Sequence, residues 1–377
     1  MPSRKQRFCG TRQYKGTKVK SWLYPGVAAV VATAAPIAYA QSSVTLYGIL
    51  DVGIQYTTNQ GGHHSVQEAS SMMRGDRWGL QGREDLGAGL RAVFRLESGF
   101  SLNNGVLGQS TATAQRIFGR YAYVGLANDK VQVLFGRQPD FMLDYLQTTA
   151  NSWYGTSLEF HPAINANFFG NNGSNPSLDR IGGGEVDSSV KATWSPVESL
   201  HFGAMYGFGD APGIGSPNST QSYGATWTTT GALLGAVYTT RKDNLTPGTL
   251  RTLGVGGTAT LGDFMFNALY TNSRWTLTGD VADIFDVGVR YNITPFQVVG
   301  VEYTFLDKNN GPKNVFYASI RSTYGVIYDY RFSKATDIYV TYVFQHATGG
   351  RQAQLFGMSL SSSSAQGVAA IGLRHYF

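Results

Sequence analysis

Charged side chains in this chain stand at alternate positions rather than at the spacings that build a catalytic centre. Arg77, Gln81 and Arg83 fall on one parity of a short segment, with Trp78 and Leu80 on the other. Arg91, Arg95 and Glu97 alternate in the same way with Leu90, Ala92, Phe94 and Leu96. Guanidinium and carboxylate groups aligned like this attract, repel and orient ions in water; they do not make or break bonds. Motifs for covalent chemistry are missing: the chain has no Gly-x-Ser-x-Gly elbow, no His-Glu-x-x-His pair and no phosphate-cradling Gly-x-x-x-x-Gly-Lys. Its six histidines (His63, His64, His161, His201, His346 and His375) are scattered, and only His63 and His64 adjoin. The residues therefore predict neither an enzyme, nor a metal site, nor a cofactor.

The elements that must carry these charges are strands. Period-two alternation starts with Val44, Leu46, Leu50, Val52, Ile54 and Tyr56 opposite Thr45, Asp51 and Gln55, and it recurs to the last residue. Phe285, Val287, Val289 and Tyr291 face away from Asp286 and Arg290; Tyr324, Val326, Tyr328 and Tyr330 oppose Asp329 and Arg331. Side chains alternate across a strand, so each segment is a ribbon with one apolar and one wet face. Short turns such as Leu86-Gly87-Ala88-Gly89 and Gly262-Asp263 alternate with longer polar connections: Thr58–Met73, Asn103–Ala114, Asp210–Ser219, Thr348–Gln366 and, longest, Gln138–Asp179. About 16 strands fit between them, the design of a transmembrane barrel. A soluble sandwich would bury two or three charges per strand, which no closed core accommodates unpaired, whereas a large barrel turns its apolar face to lipid and keeps a wet lumen.

Composition agrees once the chain is divided. Its 377 residues carry 30 basic and 24 acidic side chains, a formal charge of +6, which by itself suggests nucleic acid or a membrane surface. Seven of the basic residues, with the single cysteine Cys9, precede an apolar run from Gly26 to Ala40 that ends in Ala38-Tyr39-Ala40. A basic stretch, an apolar stretch and a small-x-small site read as a signal peptide over residues 1–40. Beyond it, 23 basic residues face 24 acidic ones and no cysteine remains, so nucleic acid loses its electrostatic footprint and thiolate metal sites are excluded. No run of 18 apolar residues occurs, which rules out a helical membrane protein.

The chain resembles the trimeric general-diffusion porins of the Gram-negative outer membrane, especially their betaproteobacterial branch. The resemblance is carried by Ser43-Val44-Thr45-Leu46-Tyr47-Gly48, by Gly82-Arg83-Glu84-Asp85-Leu86-Gly87-Ala88-Gly89-Leu90 and by Phe118-Gly119-Arg120-Tyr121-Ala122-Tyr123-Val124-Gly125-Leu126. Leu134-Phe135-Gly136-Arg137-Gln138, Tyr330-Arg331-Phe332-Ser333-Lys334 and the terminal Gly372-Leu373-Arg374-His375-Tyr376-Phe377 continue it in order. It implies an all-β, 16-stranded antiparallel barrel over residues 41–377, assembled as a homotrimer in outer-membrane lipid. Its third long loop, about 138–179, would fold into the lumen.

The same resemblance implies a constriction in which wall arginines oppose loop carboxylates. Arg77, Arg120 and Arg180 match the arginines, and Arg116 shares the parity of Arg120. Asp140, Asp144 and Glu159 are the loop candidates, Glu159 matching loosely because His161-Pro162 follows it. The implied function is passive diffusion of ions and small hydrophilic solutes across the outer membrane. A sugar- or organic-acid-specific channel, with Trp153, Tyr154 and Phe160 along the path, is the alternative within this architecture. A surface adhesin anchored by its barrel is the alternative outside it. Near-neutral charge beyond the leader leaves ion preference open, with three wall arginines leaning toward anions.

Overall fold

The computed structural model describes residues 42–110, 115–147, 184–209, 212, 215–243, 246–309, 319–355 and 357–377. Seventeen strands lie among them: β1 (Ser43–Gln60), β2 (His63–Ser70), β3 (Arg77–Gly87), β4 (Leu90–Gly99), β5 (Tyr121–Ala127), β6 (Val131–Pro139), β7 (Glu185–Val197), β8 (Leu200–Gly207) and β9 (Thr220–Thr228). The second half runs β10 (Ala232–Lys242), β11 (Thr249–Leu261), β12 (Phe264–Trp275), β13 (Val281–Thr294), β14 (Gln297–Asn309), β15 (Ser319–Arg331), β16 (Thr336–Ala347) and β17 (Ala365–Tyr376). Neighbours pair antiparallel, and β17 returns to β1 from Ile49↔Tyr376 to Thr57↔Val368, so the sheet closes.

Seventeen strands make 16 barrel positions, because β2 and β3 share one. β1 pairs with β3 from Ser43↔Arg83 to Ile49↔Arg77, and with β2 from Val52↔Ser70 outward to the turn at Gly61-Gly62. The expected loop Thr58–Met73 is thus corrected to a tight hairpin, whose polar residues hide the pairing from a hydrophobicity pattern. The interruption lies lower, at 71–76, where six residues stand opposite only Leu50 and Asp51, a large bulge in the wall. It turns inward: Met72 is buried with Ile327, Tyr339 and Ala370. The Asp51 carboxylate accepts the backbone N–H groups of Met73 (2.8 Å) and Arg74 (2.7 Å) and the Tyr339 hydroxyl (2.5 Å), tying the bulge to β1 and β16.

Outward positions keep large apolar side chains exposed, among them Leu46, Ile54, Val124, Phe135, Leu234, Val255, Phe266, Val287 and Val301. Water would penalise such a surface and hydrocarbon would not, while barrel closure leaves no strand edge for lipid to strand. At the seam, Phe377 exchanges backbone hydrogen bonds with Gly48 (3.0 and 3.2 Å), and its ring lies so close that a Cβ at position 48 would sit 2.2 Å from Cζ. Gly48→Val is accordingly expected to impair closure, lowering the fraction that shows the compact, heat-modifiable gel mobility of a folded barrel. Wild-type yield from the variant would remove that role.

Described segments of two connections pack against the inner wall. The longest connection runs from Pro139 to Glu185, slightly beyond the expected 138–179, and its described residues lie inside. The π-helical segment Met142–Gln147 follows Phe141, and Phe141, Met142 and Leu146 are buried with Val186, Met205, Val237 and Leu250 of the inner wall. Glycines at inward positions of four adjacent strands make the floor beneath them. A Cβ at Gly203 would lie 2.2 Å from Phe141, at Gly224 2.7 Å from Tyr145, at Gly235 3.1 Å from Leu146 and at Gly254 2.5 Å from Leu146. The connection after β16 also turns in, burying Leu355 and Met358 against Val343 and Val368.

Candidate functional site: a charged patch on the inner wall

Alternation predicts that Arg77 and Glu97 face inward, and register decides that they meet. Tyr47, Gly79, Glu97 and Tyr121 form one row across β1, β3, β4 and β5; Gln81, Arg95 and Tyr123 form the next row toward the turns. Glu97 is fully buried at the centre. Its Oε1 accepts a hydrogen bond from Arg120 Nε at 2.6 Å and lies 3.9 Å from Arg77 Nη1; its Oε2 accepts Arg95 Nη2 at 2.5 Å and the Tyr47 hydroxyl at 2.7 Å.

Small residues make room for this convergence. A Cβ at Gly79 would lie 2.7 Å from the Tyr47 hydroxyl, and one at Gly99 3.2 Å from Arg120 Cδ. Aromatic faces hold the cations in place: Arg95 lies 4.0 Å from the Tyr121 ring centroid and 5.2 Å from that of Tyr47. Three guanidinia thus share one carboxylate, a patch with a net charge of +2. Arg77 Nε has no hydrogen-bond partner among the described residues.

Further along the wall, Lys191 donates to the Pro139 carbonyl at 2.8 Å, pairs with Asp144 and lies over the Phe141 ring at 4.6 Å. Asp144 is therefore brought to the lumen, but already neutralised by a wall lysine. Asp140 departs from expectation. It is 4% exposed and accepts the Leu143 N–H at 3.2 Å, capping the loop's first turn instead of facing the pore. Burial in this loop, outside the strands, pushes its carboxyl up to about 6.

Arg116 is also a correction, for it does not join Glu97. Its Nη2 donates to Asp187 at 2.8 Å, an acid shared with Arg137 at 2.6 Å. The parity it shares with Arg120 is broken because residues 115–120 precede β5 instead of belonging to it. Arg180 and Glu159, with Trp153, Tyr154 and Phe160, lie outside the described residues, as do residues 1–40.

Glu97 and Arg95 are the members that sequence reasoning passed over as ordinary wall charges. The available signal was their shared parity with Arg77 on adjacent ribbons, which only register converts into contact. The inner face can exert a transverse field on ions and polar solutes in the water-filled space before it.

The family model for Gram-negative porins matches residues 26–350 of the chain. Among curated proteins, an outer membrane porin protein of Bordetella pertussis is 41% identical over 133 residues, covering 31% of this chain and 34% of that protein. Outer membrane porin protein 32 of Delftia acidovorans is 35% identical over 112 residues, covering 29% and 30%. The chain spans about a third of the length of these curated relatives. In fold it is similar to an anion-selective porin from Comamonas acidovorans, with a TM-score of 0.76 at 20% identity over 89% of this chain and 100% of that one. A trimer form of in-vitro folded OmpT of Vibrio cholerae gives 0.62 at 16% identity, over 89% and 99%.

Proposed function

The chain belongs to the Gram-negative porin family, and on that premise we propose that it is a passive outer-membrane channel for ions and small hydrophilic solutes, with a preference for anions. The observation that carries this reading is the patch of Arg77, Arg95 and Arg120 around the single carboxylate of Glu97, on the inner face of a closed barrel whose longest connection starts packed against the inner wall. Fixed positive charge facing confined water concentrates anions and repels cations. The name of the Comamonas neighbour supports the direction of selectivity.

Arg180 is proposed to extend the arginine row and Glu159 to oppose it from the loop. Residues 1–40 are proposed to be an export signal removed from the working protein. A homotrimer is proposed because the family resemblance implies one and the Vibrio neighbour is described in a trimer form. Solutes pass down their gradients, and no bond is made or broken on the way.

Recording from the purified protein in a planar bilayer tests the reading. Discrete conductance steps are expected, with a zero-current potential in a salt gradient displaced toward the anion's equilibrium value. Absence of steps would sink the channel. Block by one sugar or organic acid at low concentration would favour a substrate-specific pore.

A further inference from the structure

The outward face carries an arrangement that a channel does not use. At the loop end of β9 to β12, register stacks two successive rows of outward residues. The inner row is Tyr223, Tyr238, Leu253 and Asn272, with the rings of Tyr270 and Phe285 beside it, tilted 34° to each other at 4.7 Å between centroids. The next row out is Gln221, Thr240, Arg251 and Arg274. Aromatic residues of a membrane barrel mark the interface between hydrocarbon and headgroups, so the second row lies at headgroup depth.

Arg251 and Arg274 face each other directly across β11 and β12, and both are exposed. Like charges so placed repel. Neither arginine forms an ion pair with a carboxylate among the described residues. Arg274 Nε donates to Asn272 Oδ1 at 3.3 Å, while the acid on the adjoining strand, Asp283, is occupied by the Tyr270 hydroxyl and Asn272 Nδ2, both at 2.7 Å.

We propose that Arg251 and Arg274 form a clamp for the phosphate of a lipid headgroup in the leaflet surrounding the loop end of the barrel. Two adjacent guanidinia offer the forked donors that match phosphate oxygens, and an anion between them turns their mutual repulsion into attraction. The ligand is a lipid, not a permeating anion, because the pair points away from the lumen and stands one row beyond the aromatic residues. The clamp rests on the outer-membrane placement proposed above.

Titration of the full-length purified barrel in detergent with fluorescent lipid A, and with the same lipid stripped of phosphate, tests the clamp. The wild type is expected to bind the phosphorylated form about tenfold more tightly, equivalent to about 1.4 kcal/mol. Arg251→Gln/Arg274→Gln should lose that preference, and Arg251→Lys/Arg274→Lys should retain part of it, since lysine keeps the charge and loses the fork. No preference in the wild type, or an undiminished one in the glutamine variant, would overturn the clamp. Displacement by inorganic phosphate at equal phosphate concentration would overturn the lipid assignment. Bilayer conductance of the same preparations separates the two readings: the glutamine variant should conduct as the wild type does. A wild type that prefers the phosphorylated lipid yet never conducts would remove the channel and leave the clamp.

Discussion

Glutamine at both Arg77 and Arg120 is expected to shift the zero-current potential in a salt gradient strongly toward the cation's equilibrium value. The patch carries three cations and one carboxylate, so losing two cations takes its net charge from +2 to zero. A unit charge about 8 Å from a permeating ion in water contributes roughly 0.5 kcal/mol. Two such charges alter anion entry by about 1 kcal/mol, roughly fivefold. Raised ionic strength should compress the effect, because screening shortens the reach of the field.

Glu97→Gln is the opposing arm of the same experiment. It leaves the three guanidinia without their shared carboxylate, so anion preference should rise while the patch loses its organising group. Breaking a buried pair by removing one partner costs about 3–5 kcal/mol where solvent cannot reach. The arginines here retain partial access to water, with side chains 14 to 27% exposed, so the cost should fall below that range. A selectivity unchanged in both arms would remove the patch from the conduction path.

The second large effect concerns the width of the path. Gly203→Leu is expected to raise single-channel conductance, because the new side chain claims the space now filled by the Phe141 ring, 2.2 Å from where its Cβ would be. Phe141, Met142 and Leu146 fix the start of the long loop to the wall, and the inward glycines at 203, 224, 235 and 254 are what let them approach. Dislodging the segment should widen the lumen and broaden the distribution of conductance steps. Phe141→Ala should act in the same direction by deleting the anchor, at a cost of about 3–5 kcal/mol to the packing of the segment. Unaltered conductance in both variants would show that this segment does not limit flow.

How much of this was legible beforehand follows from the range of the interactions involved. Which side of the wall Arg77, Glu97 or Val287 occupies was readable from the chain, because parity along a strand is a property of the local backbone and a single misplacement would bury charge in hydrocarbon. The barrel and its alternation of short turns and long loops followed from that parity or from family resemblance. The hairpin at Gly61-Gly62 was hidden, because backbone pairing between polar residues leaves no mark in hydrophobicity.

Which charges meet was decided by tertiary structure alone. Glu97 gathers Arg77 and Arg95 because the register of β3 and β4 places them in adjacent rows, and Arg120, just ahead of β5, is held beside it by the bond from its backbone N–H to the Glu97 carbonyl at 3.1 Å; register itself depends on turn lengths and bulges summed around a closed ring. Arg116 goes to Asp187, and Asp140 turns into a buried cap, for the same reason: neither lies on a strand, so parity has no hold on its direction. The inward glycines acquire a purpose only once four strands are set side by side and a loop, distant from them in the chain, is laid across them. Local backbone geometry thus determined which face each strand residue meets, and long-range register and packing determined the partner it meets there.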